Sequence, residues 1–277
     1  MTKFSIITIN RNNAVGLQKT IESVVTQTYR DFEYIIIDGA STDNSVDIIK
    51  QYADKITHWI SEPDNGVYNA MNKGIARSQG EHLLFLNSGD FFVDKNVLND
   101  CALKINENIE ICSGNLWVLS EDKVETKLKP LTELTLYSCM YYGPFHPCTF
   151  IKRTLFDKYG LYNEESKLSS DWEFFLISCG LNEVVYLPLD RDIACFNTEG
   201  ISEDPGNAQL LRTEGENALK KHLLPSIRKD IERLIFLENQ NKEEAFVALR
   251  KIKSRRVLYQ LVSRVLCVVD RIFVRSK

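Results

Sequence analysis

Over 277 residues, with 44% hydrophobic and 26% charged side chains, the chain has room for one large globular domain or for a domain plus an appendage. A net charge of −4 argues against a function built on binding nucleic acid. The charge is uneven: residues 250–277 hold nine basic side chains against Asp270 alone, a local net of +8.

The seven cysteines form no CxxC pair and no zinc-like cluster with histidine. That usage fits reduced, buried thiols in a cytosolic protein. Met1-Thr2-Lys3 leads straight into an apolar run with no small-residue cleavage site, and no segment has the length of a transmembrane helix, so a cytoplasmic protein is expected.

Phe4–Ile9 is β-branched and predicts a buried strand; Asn10 to Asn13 end it and cap a helix over Ala14–Thr26, with Leu17, Ile21, Val24 and Val25 on one face. Phe32–Ile37 predicts a second buried strand, followed by a helix over Asn44–Ala53 capped by Thr42 or Asp43. His58–Ile60 reads as a short strand, and Glu62-Pro63-Asp64-Asn65-Gly66 as a loop. In the helix Val67–Ser78 the apolar stripe is Val67, Ala70, Met71 and Ile75, with Asn69, Asn72 and Lys73 off it. His82–Leu86 predicts a strand buried on both faces.

Beyond Asp90 the pattern loosens. Helices are expected over Val97–Asn106, Leu131–Met140, Trp172–Ser178, Asn207–His222 and Ile227–Asn239. Strands are expected within Ile109–Leu119 and over Cys148–Ile151, Val184–Leu187 and Arg191–Phe196. From Glu243 onward the chain reads as helical and increasingly basic.

Strands alternating with helices imply right-handed βαβ units and a parallel sheet. A Rossmann dehydrogenase would carry GxGxxG after the first strand; Asn10-Arg11-Asn12-Asn13-Ala14-Val15-Gly16 stands there instead, which sets dinucleotide redox chemistry aside. Ligands of open α/β sheets bind outside the carboxyl ends of the strands. The polar ends at Asn10, Asp38 and Asp90 are therefore expected to line one pocket. Asp90, after Asn87-Ser88-Gly89, suits a divalent cation and the phosphates it neutralises, although a turn-capping aspartate is the plainer alternative.

Five pieces in order are FSIITINRN, IIIDGASTDNS, SEPDNGVYNAMNKGIARSQGEHLLFLNSGD, HPCTFIKR and SSDWEFF. Together, over roughly residues 3–205, they resemble the inverting nucleotide-sugar glycosyltransferases of family 2, and among them enzymes that build bacterial exopolysaccharide, capsule or lipopolysaccharide. The resemblance implies an α/β GT-A fold, a Rossmann-like, mostly parallel sheet flanked by helices, over 1–225, with a helical, basic C-terminal extension over 226–277. Two features depart from the family's pattern. The usual DxD-like cluster is Asn87-Ser88-Gly89-Asp90, with one carboxylate, and Asp38 is followed by Gly39 rather than a second aspartate.

The resemblance also implies roles. Asp90 is expected to ligate Mn²⁺ or Mg²⁺, and Asp171 to be the catalytic base, with an N-cap as its structural alternative. Thr8, Asn10, Arg11, Asp38, Ser41, Asp64, Lys73, Asn87, Ser88 and Gly89 are expected around the nucleotide sugar. Of these, Asp38 would accept a uracil imide N–H and Lys73 would meet a phosphate, while capping, turn and surface roles stay open for the set. His146 and Trp172 are expected on the acceptor or diphosphate side, and Glu173 on the exposed face of its helix. The implied reaction moves a sugar from a nucleoside diphosphate sugar, a UDP-sugar foremost, to a hydroxyl of a growing glycan or lipid-linked saccharide.

In Val257–Phe273 apolar residues recur at helical spacing among arginines, which predicts docking of 250–277 on an anionic membrane, the inner face of the cytoplasmic membrane, or packing on protein instead. Two other readings remain at this level: a sugar-nucleotide-binding protein without transfer, and a membrane-associated scaffold subunit.

Overall fold

The computed structural model describes residues 2–120, 123–141, 143–198, 205–237 and 240. Its first half is a parallel sheet built as the sequence predicts: β1 (Phe4–Asn10), β2 (Phe32–Asp38), β3 (His58–Ser61) and β4 (His82–Phe85), in the order β3-β2-β1-β4. Helices α1 (Ala14–Val25), α2 (Ser45–Gln51) and α3 (Val67–Arg77) make the crossovers. β1 is buried along its whole length because both faces are covered. Strand alternation sends Phe4 and Ile6 into one apolar cluster with Leu17 and Ile21 of α1, and Ile7 and Ile9 into the other with Met71 and Ile75 of α3.

The second half is mixed. β5 (Phe91–Phe92), β6 (Ile111–Ser120), β7 (Lys123–Leu128), β8 (Thr149–Lys152) and β9 (Tyr186–Asn197) extend the sheet as β4-β8-β6-β9-β5, with β7 on β6. β8 is antiparallel to β4 and to β6, and β9 runs parallel to β6. Short helices α4 (Val97–Ala102), α5 (Leu136–Tyr141), α6 (Thr154–Tyr159) and α7 (Ser170–Phe175) connect these strands, and α8 (Ala208–His222) follows. The two strands expected over Val184–Leu187 and Arg191–Phe196 are one continuous β9, whose pairing with β6 shifts register around Asn115. The hairpin strand β7 and helix α6 were not anticipated.

The chain divides into two compact units between Ala218 and Leu219. Of the second, the structure describes the last turn of α8 and a helical run over 225–237. The basic stretch 250–277 lies outside the described residues. Cys101, Cys112, Cys139, Cys148, Cys179 and Cys195 are buried and unbridged, as expected of reduced thiols.

Candidate active site

In-register pairing puts Asn10, Asp38 and Ser61 side by side where β1, β2 and β3 leave the sheet. Asp38, fully buried, is the hub of this edge. Its Oδ1 accepts the Asn10 amide at 2.7 Å and the Ser41 hydroxyl at 2.6 Å. Its Oδ2 accepts the Ser61 hydroxyl at 2.6 Å and the Ser41 backbone N–H at 3.0 Å. The carboxylate expected to read a base thus has four protein donors and shapes the loop through Ser41, which also accepts the Asn12 N–H at 2.7 Å. Asn10 keeps its Oδ1 buried without a partner.

Next to this frame, Gly39 makes room for Asp64. A Cβ at Gly39 would fall 2.2 Å from Asp64 Oδ2. Asp64 Oδ1 accepts the Gly66 N–H at 3.0 Å and lies 4.0 Å from the guanidinium of Arg11, whose side chain is 66% exposed. Lys73 is turned to the same loop, bonded to Glu62 at 2.9 Å and to the Pro63 carbonyl at 2.9 Å, so it fastens residues 62–66 to α3. Thr8 sits elsewhere than expected. Strand alternation turns it inward, where its hydroxyl donates to Leu86 O at 2.7 Å and meets Tyr34 Oη at 3.1 Å, fully buried.

After β4 the chain turns through Asn87-Ser88-Gly89, with Gly89 at φ +105°, a region that favours glycine. α1 anchors the turn: Asn13 donates to Ser88 O at 3.0 Å, and Thr20 accepts the Gly89 N–H at 3.0 Å and donates to Asp90 O at 2.6 Å. Asp90 is 5% exposed and accepts the Asn197 backbone N–H at 3.1 Å. Burial pushes its carboxyl up to about 8, against the smaller opposing pull of that hydrogen bond. Asn87 Oδ1 is buried without a partner in the same turn. Among the described residues, no three His, Cys, Asp or Glu side chains gather as a metal site. The donor set therefore fits Mg²⁺ or Mn²⁺ only when a diphosphate supplies further oxygens, and it does not fit an ion held by protein alone.

Asp171 stands in the first turn of α7, with its side chain 30% exposed. Its Oδ1 accepts the Tyr68 hydroxyl at 2.7 Å, and its Oδ2 lies 3.9 Å from His146 Nδ1. His146 is 8% exposed, stacks on Phe85 of β4 with centroids 4.8 Å apart, and meets Tyr162 Oη through Nε2 at 2.9 Å. Burial lowers the His146 pKa, while the charge of Asp171 opposes that fall. Tyr68 and Tyr162 are pushed well above the usual 10, by burial first and by Asp171 second.

The loop that delivers Asp171 is tied at both ends. Asn72, expected off the apolar stripe, is 7% exposed and donates to Tyr162 O at 2.9 Å and to Glu164 at 2.9 Å. Glu214 of α8 accepts Ser166 Oγ, Lys167 N, Leu168 N and Ser169 Oγ at 2.7–3.0 Å. Trp172 donates Nε1 to Cys139 O at 2.8 Å, which fixes its ring against α5. Glu173, expected on the exposed face, is 7% exposed: α7 has only six residues before a π-helical turn, Leu176–Gly180, and it packs against the core on more than one face. Tyr68, Tyr162, Asn72 and Glu214 are site residues that the sequence reading missed.

A model of glycosyl transferase family 2 matches residues 5–165, which hold the strand-edge frame, the Asp90 turn, His146 and Tyr162. The chain belongs to this family. An "uncharacterized glycosyltransferase" of Mycobacterium tuberculosis is 33% identical over 210 residues, covering 71% of this chain and 76% of the relative. A Mycobacterium bovis "PGL/p-HBAD biosynthesis glycosyltransferase" is 31% identical over 176 residues, covering 62% and 67%. Residues 1–349 of Staphylococcus aureus TarS, solved with UDP-GlcNAc, superpose with a TM-score of 0.63 at 20% identity, covering 83% of this chain and 70% of that one. The chain spans 36% of the longer solved TarS. A mannosyltransferase of Pyrobaculum calidifontis, solved with GDP-Man and Mn²⁺, gives 0.58 at 14% identity, covering 83% and 67%. The transferase thus has the GT-A fold. Among its described residues no helix is long and apolar enough to cross a membrane.

Proposed function

We propose that this glycosyltransferase moves a sugar with inversion from a nucleoside diphosphate sugar, a UDP-sugar foremost, to a hydroxyl of a growing glycan or lipid-linked saccharide. The observation that carries this reading is the partly exposed Asp171 carboxylate beside His146, whose ring rests on the strand leading to the Asp90 turn. UDP is favoured because TarS, of the same fold, is solved with UDP and with UDP-GlcNAc.

The acceptor hydroxyl attacks the anomeric carbon from the side opposite the diphosphate. The bond from that carbon to the diphosphate oxygen breaks, and its electron pair leaves with the oxygen. The hydroxyl proton passes to Asp171, and the single displacement inverts the configuration. Asp90, with Asn87 Oδ1 nearby in the turn, would hold a divalent cation together with the diphosphate; when bound, that ion neutralises the charge of the leaving group. Asn10, Ser41, Asp64 and Arg11 wall the nucleotide side, and Asp38 holds Asn10 and Ser41 in place.

Asp171→Asn keeps size and cannot take the proton. Transfer is expected to fall by roughly a hundredfold or more, with melting temperature and UDP-sugar affinity nearly unchanged. Near wild-type transfer by a normally folded variant sinks Asp171 as the base. In a thermal-shift comparison of UDP, GDP, ADP and CDP, UDP is expected to raise the melting temperature most, because tight ligands stabilise by mass action.

The same reading puts the enzyme in the cytoplasm, peripheral on the inner face of the membrane, through 250–277. The support is the sequence alone: an apolar stripe with Arg255, Arg256, Arg264, Arg271 and Arg275, each basic residue worth about 1 kcal/mol near anionic lipid. Full-length protein is expected to float with anionic vesicles and a 1–249 truncation to stay behind; equal behaviour of the two defeats the membrane role.

A further inference from the structure

Tyr68 lies in the first turn of α3, just after the loop over residues 62–66. It is 4% exposed, and its ring packs on that of Tyr162 at 5.7 Å. Its hydroxyl reaches Asp171 Oδ1 at 2.7 Å, across 103 residues of sequence. Burial and the neighbouring carboxylate keep this phenol protonated at neutral pH, so the tyrosine donates and the carboxylate accepts.

The other side of the carboxylate is faced by His146. Its Nε2 is hydrogen-bonded with Tyr162 Oη at 2.9 Å, and its Nδ1 faces Asp171 Oδ2 at 3.9 Å. The Asp171 carboxylate is thus faced by side chains from two separate elements, α3 and the turn before β8. One of them, Tyr68, is at full hydrogen-bond distance; the other, at 3.9 Å, is too far for a hydrogen bond. Oδ1 is engaged, and Oδ2 is the oxygen left for a proton.

We propose that Tyr68 is a positioning residue of the transfer reaction: its hydroxyl holds Oδ1 of Asp171 so that Oδ2 is presented to the attacking hydroxyl. This rests on the reading of Asp171 as the base. A base acts only within hydrogen-bond reach of the proton it takes, and misplacement by about 1 Å costs on the order of a hundredfold. The Tyr68 ring packs as a core aromatic. The hydroxyl has a separate task that packing alone does not require.

Tyr68→Phe keeps the ring and removes the hydroxyl, so the fold is expected to survive with a melting temperature close to wild type. UDP release from the UDP-sugar that gives the largest thermal shift, with water or an added saccharide as acceptor, should show kcat reduced roughly tenfold to a hundredfold and donor KM nearly unchanged. In an Asp171→Asn background the same change should have little further effect, since the two residues act as a unit. Independently of turnover, the Tyr68 hydroxyl proton should appear downfield in the proton NMR spectrum, be absent in Tyr68→Phe, and move upfield in Asp171→Asn. Wild-type kcat in Tyr68→Phe, full additivity in the double variant, or a hydroxyl resonance indifferent to Asp171→Asn overturns the proposal. If Asp171→Asn itself keeps near wild-type turnover, the base assignment fails and Tyr68 falls with it. An inactive Asp171→Asn beside a fully active Tyr68→Phe sinks the Tyr68 role alone.

Discussion

Glu214 accepts the Ser169 hydroxyl at 3.0 Å, two residues before Asp171. The same carboxylate takes Ser166 Oγ and the backbone N–H groups of Lys167 and Leu168, so a helix beyond the 5–165 family match shapes the loop that delivers the proposed base. Burial raises the Glu214 pKa, but the hydrogen bonds from Lys167, Ser166 and Leu168 outweigh it and hold the carboxyl below the usual 4.5. A depressed acid contributes stability above its unfolded pKa and loses it as pH falls through the folded value. Glu214→Gln should therefore cost stability at pH 7, by about 1–2 kcal/mol in urea denaturation given the partial solvent screening. The difference from wild type should vanish in acid, below the lowered carboxyl pKa. A constant difference across that range would show that the charge contributes nothing.

Asp90 predicts the opposite slope. Its folded carboxyl, at about 8, lies above its ordinary 3.8, so between these values the native state binds more protons than the unfolded one. Stability of the metal-free protein should then decline as pH rises from about 4 to about 8, by an order-of-magnitude figure of a few kcal/mol, and Asp90→Asn should flatten that decline. A cation competes with the bound proton, so UDP with Mn²⁺ should bind more tightly as pH rises across the same window. At pH 7.5, calorimetry should give stronger UDP binding with Mn²⁺ than with EDTA, and Asp90→Ala should erase the difference. Equal UDP affinity with and without the ion removes the metal role.

The strand edge was legible in the sequence because buried parallel strands are apolar runs that end abruptly in polar residues, as at Asn10, Asp38 and Asp90. β7 was not, since its KVETKL segment is exposed on nearly every residue and carries no buried face to give a period. β9 read as two strands because Pro188 and the charged residues 190–192 interrupt its apolar pattern, while the bulged pairing with β6 keeps the backbone continuous. Tyr68 stood outside the apolar stripe predicted for its helix, and its hydroxyl partner lies 103 residues away, a pairing that no local pattern encodes. Glu173 was expected to be exposed as a charged residue, but the short α7 buries Ser170, Glu173, Phe174 and Phe175 together, which leaves no exposed face at that position.

Gly39 yields a prediction about the donor side. Where the family often has a second aspartate, this chain has no side chain, and the Asp64 carboxylate occupies the space: a Cβ at residue 39 would fall 2.2 Å from its Oδ2 and 3.4 Å from Arg11 Cδ. The side chain of Asp64 is only 6% exposed and its Oδ1 is committed to the Gly66 N–H, so it cannot move aside without giving up that turn bond. Gly39→Ala should displace Asp64 and disturb the loop that Lys73 fastens through Glu62 and Pro63. The α7 end of the site, with Asp171 and His146, is held by other contacts and should stay intact. The expected result is weaker UDP binding, roughly tenfold or about 1.4 kcal/mol, with kcat nearly unchanged and a melting temperature lower by a few degrees. Gly39→Asp should be worse, because it adds a like charge beside Asp38 and Asp64 as well as volume. Titration calorimetry with UDP decides the matter: wild-type affinity in a folded Gly39→Ala protein would show that the position of Asp64 does not matter to the nucleotide, and the base-side wall would then have to be sought at Asn10 and Arg11 alone.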